Sequence, residues 1–213
     1  MKRVAVEDVE PEHPGSGIDR HGLSDPLGTT DLAVNRYRLA PGEGFPGGLH
    51  AHPDQEEVFV VVEGEATFEA YVPRGDGNRP VRGREVTVAA GEAIRFAPGE
   101  FQSGRNDADG DLVAFAMGAP RDAGDVRLPL ECPDCGRADV RLATDEGGPS
   151  FVCPDCDAER VPRACPACGH DEMRVALGEE ARPVVACRGC DDEFEDPPVR
   201  GDGERDGTTP TEG

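Results

Sequence analysis

From Asp31 to Met117, short runs of aliphatic, β-branched and aromatic residues recur at close intervals, each closed by a glycine or proline turn. Leu32–Leu39 leads to Pro41-Gly42-Glu43-Gly44, Glu57–Val62 to Glu63-Gly64-Glu65, and Ala66–Val72 to a long turn over Pro73–Gly83. Glu85–Val88 then leads to Ala90-Gly91-Glu92 and Ala93–Phe96 to Pro98-Gly99, and Leu112–Met117 closes the series. No stretch sustains the periodicity of an amphipathic helix. Many short strands with such punctuation predict an all-β sandwich or barrel over residues 31–120. Residues 1–30, with loop signals at Pro11-Glu12-His13-Pro14-Gly15 and Ser24-Asp25-Pro26, read as an N-terminal extension.

Past a linker at 121–131 the pattern changes. All eight cysteines fall here, in four C-x-x-C pairs: Cys132/Cys135, Cys153/Cys156, Cys165/Cys168 and Cys187/Cys190. Two thiolates on a tight turn grip one side of a metal ion, and a second pair completes a tetrahedron. The gaps of 17 and 18 residues within the two halves fit four-cysteine zinc sites. Cys132-Pro-Asp-Cys135-Gly136 is repeated as Cys165-Pro-Ala-Cys168-Gly169, which predicts two tandem ribbons, 132–162 and 163–196. Ser150-Phe151-Val152 and Pro183–Ala186 can pair as strands before each second knuckle. The repeat favours sequential pairing, first knuckle with second and third with fourth. An interleaved arrangement is the alternative, since only eight residues separate Cys156 from Cys165. A site closed by four thiolates has no open position, so two structural zinc ions are expected, with no catalytic role. A redox dithiol would need a surrounding βαβ pattern that is absent. The acidic tail, 197–213, has almost nothing to bury and should be disordered.

The formal net charge is −22 over 213 residues, and Lys2 is the only lysine. Such loading resembles cytosolic proteins of extreme halophiles, in which salt screens the self-repulsion; an acidic surface made for a basic partner is the alternative. It argues against binding the nucleic-acid backbone, as do the scattered arginines of the ribbons. The N-terminus turns acidic before a signal-peptide core could form, and the longest apolar run, Leu112–Met117, is too short to cross a bilayer. Paired cysteines in an unexported chain suit metal thiolates, so the expected location is the cytoplasm.

The chemical signal of the first domain is Gly44-x5-His50-x-His52-x4-Glu57-x6-Gly64. Histidines at i and i+2 project from one face of a strand, and a carboxylate at the start of the next strand can fold back against them. Two imidazoles and a carboxylate suit a divalent transition metal: Fe, Mn, Ni, Cu or Zn. Glu56 competes with Glu57, and the spacing favours Glu57. Phe59 and Val61 share the Glu57 face. Phe96 and Phe101 read as core or pocket wall, Gly91 and Gly99 as turn residues. Of Arg36, Tyr37 and Arg38, one or two could reach the pocket or all could face solvent. His13, His21 and His170 read as surface residues.

This stretch resembles the first motif of the cupin superfamily. Gly91-x5-Ala97-Pro98-Gly99-x2-Gln102-x3-Asn106 resembles the second, with two departures: Ala97 where proline is usual, and Gln102 where the fourth ligand is usually histidine. The resemblance covers about Leu32–Ala119. It implies a small β-barrel of the double-stranded β-helix or jelly-roll type, with His50, His52 and Glu57 as metal ligands at its mouth. Gln102 would bind metal weakly, hold a metal-bound water, face a substrate, or have lost the role. The resemblance also implies a small-molecule ligand and a homodimer, but names no reaction: such barrels include dioxygenases, isomerases and non-catalytic binders. The leading expectation is therefore a metal-binding cupin acting on or binding a small organic molecule. The alternative is a ligand sensor or adaptor whose ribbons contact a protein partner.

Overall fold

The computed structural model describes residues 1–12, 18–73, 83–145 and 147–200. Eight strands build the barrel: β1 (Ile18–Gly22), β2 (Ala33–Leu39), β3 (Glu56–Glu63), β4 (Glu65–Tyr71), β5 (Arg84–Ala89), β6 (Ala93–Phe96), β7 (Phe101–Arg105) and β8 (Leu112–Ala119). They form a five-stranded sheet, β1-β2-β8-β3-β6, and a three-stranded sheet, β5-β4-β7, antiparallel throughout. Strands distant in sequence are neighbours, β3 beside β8 and β4 beside β7, which rolls the chain into a jelly-roll barrel. The predicted all-β cupin barrel is present. Among the described residues the only α-helix is the turn Ser24–Leu27, α1.

Alternation explains the core. Phe59 and Val61 on β3, Ala66 and Phe68 on β4, Tyr37 and Leu39 on β2, and Leu112, Ala114 and Ala116 on β8 all point between the sheets. Phe45, from the turn after β2, lies 5.1 Å from Tyr37 and Phe59 and stacks on Phe68 at 5.7 Å. Gly64 carries the chain from one sheet to the other at φ +77; a Cβ there would come 2.5 Å from the Asp111 carbonyl oxygen, so the crossing requires glycine.

Three boundaries differ from the sequence reading. β1 lies in the stretch read as an N-terminal extension, yet it pairs with β2 over five residues and extends the larger sheet. Its polar sequence, Ile18-Asp19-Arg20-His21-Gly22, lacks the apolar alternation that marks a strand. Likewise, β9 (Val126–Leu128) lies in the stretch read as a linker. With β10 (Val140–Asp145), β11 (Gly148–Val152) and β12 (Glu159–Arg160) it forms the sheet of the first ribbon, β12-β11-β10-β9. The second ribbon contains β13 (Met173–Leu177), β14 (Pro183–Cys187) and β15 (Glu193–Phe194). The tail also begins later than expected. Arg163 N–H donates to Pro198 O at 3.0 Å and Arg200 N–H to Val161 O at 2.9 Å, so 198–200 are held, while 201–213 lie outside the described residues.

The ribbons do not hang from the barrel. Leu49, Ala51 and Phe101 of the barrel pack with Leu128, Leu130 and Val140 of the first ribbon region and with Val175 and Val185 of the second, as one buried cluster. Glu69 marks the seam. It faces outward from β4 but is only 7 % exposed, accepting from Arg105 (2.8 Å), Ser103 Oγ (2.9 Å) and the Leu177 N–H of the second ribbon (3.2 Å).

Candidate metal centre

Residues 49–52 run extended beside β7, with His50 and Gln102 exchanging backbone hydrogen bonds of 3.1 and 2.8 Å. Alternation sends Leu49 and Ala51 into the core shared with the ribbons, leaving His50 and His52 on the other face. The two imidazole rings stand 5.1 Å apart and nearly perpendicular. Nδ1 of His50 donates to Gly48 O at 2.8 Å, and Nδ1 of His52 donates to Asp125 O at 3.3 Å. A carbonyl can only accept, so both Nδ1 atoms carry the proton and both Nε2 lone pairs are free to bind a metal. Glu57, at the start of β3, brings its carboxylate to them; the ligating atoms of His50, His52 and Glu57 all lie within 4.8 Å of one another. This donor set, two imidazoles and one carboxylate, fits a divalent transition metal with coordination positions left for a substrate or water.

Burial lowers the His50 pKa below its ordinary value, with His52 contributing, against the opposing pull of Gly48 O and Glu57. The neutral ring is the metal-binding form, so the site stays ready to bind at neutral pH. Gln102 is 2 % exposed, and its amide Nε2 donates to Glu57 Oε2 at 2.8 Å. At the position where the motif usually carries a fourth imidazole, this chain therefore has an amide hydrogen-bonded to the candidate carboxylate ligand.

The other sequence candidates sort by alternation. Glu56 points outward to Arg95 (2.7 Å), which leaves Glu57 as the inward carboxylate. Tyr37 faces the interior, whereas Arg36 and Arg38 pair outside with Asp19 and Asp111. Burial raises the Tyr37 pKa, with Arg20 opposing and the Glu12 and Glu57 carboxylates adding to the rise. Gly91 and Gly99 occupy positive-φ turns as expected. Phe96 joins the barrel core and Phe101 the shared one. Asn106 is fully buried, donating to Leu39 O and Gly110 O and accepting from the Ala108 N–H, so it fastens the loop after β7. His170 is exposed, as expected, and His13 lies outside the described residues. His21 is a correction: it is 8 % exposed, its Nδ1 2.6 Å from Val9 O and its Nε2 2.8 Å from Asp19. The N-terminal segment that covers it could not be placed from local sequence.

Sequence reasoning missed Arg20 and Asn35. By register they share the inner face with Tyr37; Arg20 lies over the Tyr37 ring at 5.8 Å, hydrogen-bonds Asn35 (3.0 and 3.2 Å) and pairs with Glu12. The only signal was the period-two spacing Asn35-x-Tyr37, which an unrecognised neighbouring strand kept from being read.

The cysteines gather as the repeat suggested, Cys132, Cys135, Cys153 and Cys156 in one cluster and Cys165, Cys168, Cys187 and Cys190 in the other. Sulfur pairs lie 3.7 and 3.5 Å apart in the first and 3.8 and 3.5 Å in the second. A tetrahedron with metal–sulfur bonds of about 2.3 Å has edges of about 3.8 Å, so both clusters fit tandem zinc ribbons. Desolvation opposes ionisation of Cys153 and Cys165, but surrounding backbone N–H groups and neighbouring thiols outweigh it and bring each to about 7.

Residues 35–118 match the family described as the cupin domain, and this segment is a cupin domain. No curated protein matches the chain significantly. Among solved structures, a cupin-superfamily sugar phosphate isomerase from Silicibacter pomeroyi is similar at 20 % identity and TM-score 0.50, over 73 % of this chain and 94 % of that one. A double-stranded β-helix protein from Klebsiella pneumoniae gives 22 % and 0.42, over 57 % and 87 %. An oxalate decarboxylase from Lactobacillus farciminis gives 18 % and 0.45, over 55 % and 33 %. At these identities the likeness is one of fold.

Proposed function

We propose that the barrel binds a divalent transition metal through His50, His52 and Glu57 and uses it to bind or transform a small, polar organic molecule. The observation that carries this reading is the convergence of three ligand atoms, with both imidazole tautomers fixed for coordination. When bound, the metal would supply a Lewis acid that polarises a substrate oxygen. Gln102 donates to one carboxylate oxygen of Glu57, which would leave the other available to the metal. Arg20, Asn35 and Tyr37 are the polar groups of the same inner face that a substrate would meet. The two four-cysteine clusters we assign to structural zinc. Their sheets bury one face against the barrel, which supports a scaffolding role over that of a free partner-binding module.

Metal analysis of the full-length protein tests the assignment. Wild-type protein is expected to hold two zinc ions and one further divalent metal per chain. The double variant His50→Ala/His52→Ala is expected to keep both zinc ions and lose the third. Full metal content in that variant would overturn the reading.

A further inference from the structure

The ligand-bearing segment is held from two sides. On the barrel side, His50 pairs with Gln102, and Gly99 N–H donates to His52 O at 2.8 Å. On the ribbon side, Leu49 N–H donates to Val175 O of β13 at 2.7 Å. Ala51 and Arg127 of β9 exchange both backbone bonds, at 2.9 and 2.8 Å. The His52 imidazole itself donates to the carbonyl of Asp125, at the entrance to β9. Approach is close: Gly48 sits at φ +63, where a Cβ would lie 2.8 Å from Val175 O. The side chains of Leu49 and Ala51, which alternate with the two histidines, are buried among ribbon residues.

We infer that the ribbons position the barrel's metal ligands, so that zinc bound by the cysteines sets the metal affinity of the His50/His52/Glu57 site. β9 and β13 belong to sheets organised around the four-cysteine clusters, and they supply the second edge of a segment that the barrel alone would leave half-paired. Asp125 and Arg127, through their backbones, are positioning residues: one fixes the His52 tautomer and ring orientation, the other fixes the strand. Loss of such outer contacts lowers metal affinity by about 10- to 100-fold. The inference rests on the metal-site reading above.

Arg127 allows a clean test. Its N–H points at Ala51, away from β10, so Arg127→Pro deletes a bond to the ligand segment without removing one from the β9–β10 ladder. Arg127→Ala removes the same side chain but keeps that bond. Co(II) is titrated into the full-length, zinc-loaded variants and followed by its d–d absorption. The Arg127→Pro protein is expected to bind Co(II) about tenfold more weakly than the Arg127→Ala protein, with two zinc ions retained. Equal affinities would overturn the inference. Should the proline variant fail to fold, wild-type protein preloaded with Co(II) is treated with a thiol reagent, which reports on the ribbons alone because all eight cysteines lie there. Cobalt release in step with zinc ejection supports the coupling, and cobalt retention overturns it. Failure of wild-type protein to bind Co(II) at all would instead sink the metal-site reading.

Discussion

The barrel and the ribbons reach stability by opposite means, though they share a wall. The barrel closes two sheets on Phe45, Phe59, Phe68 and Phe96, an aromatic cluster whose ring centroids lie 4.9 to 6.1 Å apart. The candidate ligands His50, His52 and Glu57 are not members of that core cluster. Each ribbon has only a few short strands, one of them just two residues long. It encloses little hydrocarbon beyond what it shares with the barrel, so four thiolates and an ion must supply the rest. On the reading proposed above, a metal would serve ligand binding in the barrel and folding in the ribbons.

That contrast can be broken, first and hardest, at the cysteines. Structural zinc contributes on the order of 10–16 kcal/mol to small domains. The double variant Cys132→Ser/Cys165→Ser is expected to lose both zinc ions and to become open to limited proteolysis beyond residue 121, as read by metal content and peptide mapping. Survival of intact, protected ribbons would show that apolar packing suffices there. Next in size, Phe68→Ala in the fully buried aromatic cluster is expected to cost about 3–5 kcal/mol in chemical denaturation while leaving two zinc ions bound. A loss of zinc in that variant would show that the two regions unfold as one.

The smallest effect sharpens the comparison through pH. His50 titrates lower in the folded protein than its ordinary value of 6.5, so below that pH the unfolded chain binds more protons than the folded one. Without metal at the His50 site, wild-type stability is expected to fall as pH drops through about 6.5 and on through the depressed folded value. The His50→Ala protein should lose less over the same range. Parallel pH profiles for the two proteins would contradict a buried, neutral His50.

Much of this was legible along the chain because the signals are local. The i, i+2 spacing of His50 and His52 works only on an extended segment, whose alternation carries both rings to one face. Glu57 over Glu56 follows from the same parity. The knuckle repeat carried its own pairing, since each set of four cysteines closes within a single short ribbon. What stayed hidden depends on distant neighbours. β1 is polar and betrays itself only by pairing with β2, so Arg20, Asn35 and Tyr37 could not be read as one face. His21 looks like a surface residue until Val9 covers it. Gln102 stands at a ligand position of the motif, and only the fold shows its amide on Glu57.

The sequence alone determined the class of the barrel, the candidate ligand residues and the four-cysteine clusters, because each follows from side-chain chemistry repeated at the period of a strand or a tight turn. Only the tertiary structure decided that the stretch read as a linker contains a strand, that Glu69 is buried at a seam, and that ribbon backbone grips the segment carrying both histidines. Those contacts join residues far apart in the chain, Ala51 to Arg127 and Leu49 to Val175. A backbone N–H or C=O looks the same in every residue, so nothing in the sequence tells which distant partner it will meet.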